Sequence, residues 1–135
     1  MKKLYLLLLV FGGCERDSSS GCPAIACTDH FATIMVRIEN PGGEPVALDS
    51  FKVTDLKSDK DLTMAVPAAD FELMRDNGSY PIFSDHYSRE YRNKETGINF
   101  KGFVDDQEVV SADFRVGADC CHVMLVSGDP TIVIE

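Results

Sequence analysis

Five cysteines and three histidines are the residues of this 135-residue chain with the widest chemical reach. Cys120, Cys121 and His122 are adjacent, and thiolate with imidazole is a ligand set for zinc or cuprous copper that His30 or His86 would complete. Neighbours on a strand point to opposite faces, so Cys121 and His122 converge on one ion only where a bulge or loop reorients them. No C-x-x-C or H-x-x-x-H spacing occurs, and neither a metal nor another cofactor is expected. The competing use of the four cysteines after Cys14 is oxidation, the default once a chain has left the reducing cytosol. Four cysteines allow three pairings, one of them the vicinal Cys120–Cys121 bridge with Cys22–Cys27. Cys27 with Cys121 is the expected bridge, because the first opens an early strand and the second opens a late one, on the face of Val123 and Leu125. Cys22 with Cys120 is then the second. A loop of that length contributes up to about 4 to 5 kcal/mol in the chain-entropy model.

Other side chains offer less. The histidines could serve a Ser or Asp in a catalytic triad, but no G-x-S-x-G or comparable nucleophile turn is present, so no catalysis is expected. Asp105, Asp106 and Glu108, or Asp55, Asp59 and Asp61, bring together oxygens that suit calcium. Neither set follows the EF-hand pattern, and both read as solvated acidic loops. Tyr80, Phe83, Tyr87 and Tyr91 cluster in the irregular middle of the chain, Tyr87 and Tyr91 one helical turn apart. They read either as packing between a helix and a sheet or as an exposed platform for a glycan or peptide, and are the candidate binding surface. The net charge is −9, and removing Lys2 and Lys3 with a leader makes it −11. With no basic stripe to offset that acidity, nucleic acid is not an expected partner.

The elements that must position these groups read as strands. "FATIMVRIE" alternates, with Ala32, Ile34, Val36 and Ile38 on one face, the period of a half-buried strand. It ends at the Pro and Gly of "NPGGEP", residues 40–45. "DSFKVTDL" turns Phe51 and Val53 inward. "GINFKGFV" puts Ile98, Phe100 and Val104 on one face, and "EVVSADFRV" does so with Val110, Ala112, Phe114 and Val116, with Asp105, Asp106 and Gln107 between them as a hairpin connection. "CHVMLVS" and "TIVIE" add two short strands around "GDP". Together they predict a mainly β fold, an antiparallel sandwich of about seven strands. Residues 67–95 lack alternation. Pro67 in front and Asn77-Gly78 behind mark a short helix, and Ser84 with Asp85 caps a second over "DHYSREYRN".

At the N-terminus, "MKK" followed by the apolar Leu4–Phe11 has the parts of a secretory signal and is too short to span a bilayer as a helix. Gly12 and Gly13 before Cys14 resemble the lipobox of bacterial lipoproteins, with Phe11 where Leu is usual. That resemblance implies cleavage after residue 13, fatty acylation of Cys14, and attachment to the membrane through the N-terminal lipid. Residues 14–26 are then the acylated cysteine and its tether, and 27–135 the sandwich. Glu15 and Asp17 resemble the surface-export signals of Bacteroidota lipoproteins, and "DCCHVMLVSGDPTIVIE" resembles the end of small lipoproteins of that phylum. "VRIENPGGEPVALDSFKV" resembles the opening of carboxypeptidase regulatory-like domains, through Gly43, Pro45, Val46 and Ala47, with Leu48 and Asp49 where Gly-Ala is usual. That implies a transthyretin-like or immunoglobulin-like sandwich. The expected protein is a non-catalytic binding or structural module, anchored to the outer membrane, periplasmic or surface-exposed, with an envelope protein or glycan as partner. The second reading is a metal-binding or thiol-redox lipoprotein using Cys120, Cys121 and His122.

Overall fold

The computed structural model of the protein describes residues 21–135, so the expected acylation at Cys14 lies outside the described residues. Seven strands are present among these: β1 (Thr33–Glu39), β2 (Ser50–Asp55), β3 (Ser79–Ser84), β4 (Lys94–Val104), β5 (Gln107–Ala118), β6 (Val123–Ser127) and β7 (Thr131–Val133). They form one sheet in the order β3-β1-β7 and another in the order β2-β4-β5-β6. Every pairing is antiparallel except β1 with β7. The fold is the expected β-sandwich.

Alternation decides which faces meet. Val36 and Ile38 of β1 are buried against Val53 of β2, Ile98 and Phe100 of β4, and Val110, Phe114 and Val116 of β5 in a single core. Burying each such side chain contributes roughly 1.5 to 3 kcal/mol, which makes the contact between the sheets the main source of stability. The β4–β5 connection is two residues long, since Val104 pairs with Gln107. Asp105 and Asp106 have φ of 50° and 60°, the positive pair that a tight hairpin turn of matching twist needs. Asp49 Oδ2 accepts the Asp105 amide at 2.8 Å and ties the turn to the start of β2.

The middle segment differs from expectation in two ways. The helix α1 (Ala68–Asn77) follows Pro67 and stops at Gly78, whose φ of 61° lets its amide reach back to Arg75 and Met74 carbonyls. A Cβ on Gly78 would lie 2.5 Å from the Ile38 carbonyl, so glycine is required there. The next residues form an unexpected strand. All six side chains of β3 are partly or fully buried, which removes the polar–apolar alternation that identifies a half-buried strand. Its Pro81 is tolerated because β3 is an edge strand, and it faces Met35 beside a register shift in β1. The second expected helix shrinks to a 3-10 turn, Asp85–Tyr87, and Ser84 makes no side-chain cap bond.

Candidate functional site

Functional chemistry concentrates at the end of the sandwich where β1 begins, β3 ends and β6 begins. Two disulfides hold residues 22–27 to the 119–122 turn: Cys22–Cys120 and Cys27–Cys121, with Cα separations of 5.6 and 5.4 Å. These are the two pairings expected, although the geometry differs from the one that led to them. Cys27 lies in exposed coil six positions ahead of β1, and Cys121 lies in the turn that precedes β6. Asp119 shapes that turn, its Oδ1 accepting the Cys121 and His122 amides at 2.6 and 2.8 Å. Those bonds hold the Asp119 carboxyl below the usual carboxylate range. Because each thiol of the Cys120–Cys121 pair is bonded to a different cysteine, neither is presented with His122 as a metal ligand. Among the described residues no three His, Cys, Asp or Glu side chains group as a metal site.

His122 is used otherwise. Asp85, directly after β3, accepts the Ala32 amide at 2.8 Å, the Val123 amide at 2.8 Å and His122 Nδ1 at 2.7 Å. Burial raises the Asp85 carboxyl, and the hydrogen bonds from Ala32, His122 and Val123 outweigh it and hold the group below its ordinary range. On the far side of the ring, His122 Nε2 lies 2.9 Å from Thr28 Oγ1. Thr28 Oγ1 is also 2.7 Å from His30 Nδ1. The two imidazoles stack, with centroids 4.2 Å apart and planes 25° apart. Thr28 and His30 are exposed, and Asp85 and His122 are mostly covered. His86, the third histidine, stands apart from this chain, its ring edge-on to Tyr87.

A second polar cluster lies at the same end. Asp55, at the end of β2, is 3% exposed. Its Oδ2 accepts the Tyr91 and Thr96 hydroxyls at 2.8 and 2.9 Å, and its Oδ1 accepts the Lys57 and Ser58 amides. Burial raises the Asp55 carboxyl, and the bonds from Tyr91, Ser58, Thr96 and Lys57 more than offset it, bringing it to about 2. Burial and the neighbouring Asp55 charge push the Tyr91 phenol up. Asp55 is thus a structural acceptor rather than part of a solvated calcium loop. The other acidic group is also occupied: Asp105 and Asp106 make the hairpin turn, and Glu108 pairs with Lys101 at 2.8 Å.

Burial decides between the two readings of the aromatic cluster, for packing and against a four-residue binding platform. Tyr80 and Phe83 lie on β3 within the core at 0% and 2% exposure, and Tyr91 is buried beside Asp55. Tyr87 alone of the four reaches the surface, stacked on Phe83 at 5.6 Å between centroids. It lines a cleft of about 380 Å³ with Phe31, Thr63, Met64, Ala65, Ser84 and His86. Phe31, which alternation alone assigns to the edge of β1 and nothing marks as functional, is 63% exposed there. The Lys60 ammonium sits 5.3 Å above the Tyr87 ring and pairs with Glu90. No protein-family model, curated protein or solved structure matches the chain.

Proposed function

We propose that the protein is a lipid-anchored module of the cell envelope that binds a glycan in the cleft between Phe31 and Tyr87. The observation that carries this reading is the pair of disulfides that fasten residues 22–27, close behind the lipobox-like Cys14, to the body of the domain. Such bonds persist in oxidising compartments, which agrees with export. On this reading, eight positions separate the anchored Cys14 from Cys22 at the disulfide end. Within the cleft, the exposed Phe31 ring and the part of Tyr87 that reaches the surface offer apolar contact, and His86 and Ser84 bring polar groups to its lining, the mixture a small ligand site needs.

Two measurements test the proposal. Intact mass and non-reducing peptide mapping of protein taken from its native membrane should give an N-terminus at Cys14 carrying acyl mass, and Cys14→Ser should move the protein to the soluble fraction. Phe31→Ala with Tyr87→Ala should abolish retention on envelope glycan while leaving the folded spectrum unchanged. Unmodified Cys14 in membrane-derived protein would overturn the anchor. Glycan retention equal to that of the parent protein, or binding of envelope peptide instead, would overturn the assigned ligand.

A further inference from the structure

Asp85, His122 and Thr28 come from three distant segments and meet in one continuous hydrogen-bond chain. Its proton order follows from the groups themselves. Ionised Asp85 can only accept, so His122 Nδ1 carries the ring proton, and in the neutral ring Nε2 is then an acceptor. The hydroxyl proton of Thr28 therefore points at His122 Nε2, and His30 Nδ1 donates its N–H to the oxygen of Thr28. A carboxylate that fixes the tautomer, an imidazole placed to take a hydroxyl proton, and a hydroxyl aimed at it are the parts of nucleophilic acyl transfer. The Cys27–Cys121 bridge joins the residues next to Thr28 and His122 covalently and so holds the two side chains in reach of one another. Thr28 is an exposed residue.

We infer that Thr28 is an acyl-accepting nucleophile for small acyl esters, with His122 as its general base and Asp85 as a positioning residue. Thr28 Oγ1 bonds to the ester carbonyl carbon as its proton passes to His122 Nε2. Collapse of the adduct breaks the ester C–O bond, and the leaving alkoxide takes that proton from His122. Water then adds to the acyl-threonine, giving its proton to His122, which returns it to the departing Thr28 oxygen. The sum is ester and water to carboxylic acid and alcohol, with no other reactant. The open site supplies little electrostatic stabilisation to a poor leaving group, which restricts the reaction to esters. This inference goes beyond glycan binding and does not rest on it.

The test is p-nitrophenyl acetate with the oxidised full-length protein, following nitrophenolate release and mapping the acetyl group by peptide mass. A release burst stoichiometric with protein and an acetyl group on Thr28 are expected. Thr28→Ala should lose both, Thr28→Ser should keep both, and His122→Gln should slow acylation by about 100-fold or more. Asp85→Asn should slow acylation by a similar factor with KM unchanged, an effect that loosened packing would not confine to one step. Variants are compared only where non-reducing maps and near-ultraviolet spectra match the parent. Acetyl found on histidine or lysine instead, acylation persisting in Thr28→Ala, or an undiminished rate in His122→Gln would overturn the inference.

Discussion

The two ends of the sandwich are built on different principles. At the end opposite the disulfides, the turns are shaped locally and joined only by hydrogen bonds: Asn40 organises its own turn by accepting the Gly42 and Glu44 amides, Gly78 ends α1, and Asp105-Asp106 closes the β4–β5 hairpin, which Asp49 ties to β2. At the disulfide end, segments more than ninety residues apart are joined by Cys22–Cys120 and Cys27–Cys121. Asp85 there binds Ala32, His122 and Val123 at once. A local end can be altered one turn at a time. The nonlocal end holds or fails as a unit, and that constraint keeps the Asp85–His122–Thr28 chain in register.

The largest test of that contrast removes both bridges. With one bridge kept, the other closes only the short ring through 22–27 and 120–121, so losing a single bridge should cost about 2 to 3 kcal/mol, and losing both about 7 kcal/mol. Since domains have roughly 5 to 15 kcal/mol in total, the four-cysteine variant should be largely unfolded by chemical denaturation while either single-bridge variant stays folded. Equal costs for one and both would remove the case for a nonlocal unit.

Acid should also strike the disulfide end first. The Asp55 carboxyl is brought to about 2 from an ordinary 3.8. A depressed carboxylate contributes stability that is complete above the ordinary value and lost as pH falls toward the folded one. The contribution is roughly 2 kcal/mol. Unfolding free energies at pH 5 and pH 2 should differ by about that much more in the parent than in Asp55→Asn.

Toward the local end, Tyr80 supplies a smaller, separable effect. Its buried hydroxyl accepts the Leu48 amide at 2.7 Å and donates to the Val46 carbonyl at 2.9 Å. Tyr80→Phe leaves that amide without a partner and should cost about 1.5 kcal/mol, with both disulfides and esterolysis intact. The smallest change is at the hairpin: Asp106→Gly relieves a positive φ of 60° against the extra unfolded-chain entropy of glycine, and should leave a net gain of less than about 1 kcal/mol. A loss there would mean that the Asp side chain contributes to the turn.

Much of this architecture was legible in the residues. The alternating runs of β1, β2, β4 and β5 identify their inner faces, because each has one face in the core and one in water. β3 was not legible, since a strand buried on both faces carries no alternation and its Pro81 argues against a strand. Of the two readings of the aromatic residues, packing holds for Tyr80, Phe83 and Tyr91 and the exposed platform does not: Tyr80 and Phe83 belong to that hidden strand and fill the core. The absence of a nucleophile turn excluded only a local motif. It had no bearing on a hydroxyl, an imidazole and a carboxylate brought together from positions 28, 122 and 85.

Local stereochemistry and side-chain period therefore determined, from the sequence alone, the β class, most strand faces, the α1 stop and the hairpin turn. An even count of cysteines behind a secretory-type leader also pointed to disulfides. Tertiary structure alone decided that Tyr80, Phe83 and Tyr91 are core, that Phe31 and Tyr87 share a cleft, and that Thr28 meets His122. Those outcomes depend on how two sheets stack and where their ends close. That is a property of contacts between residues far apart in the chain, and no spacing along the chain encodes it.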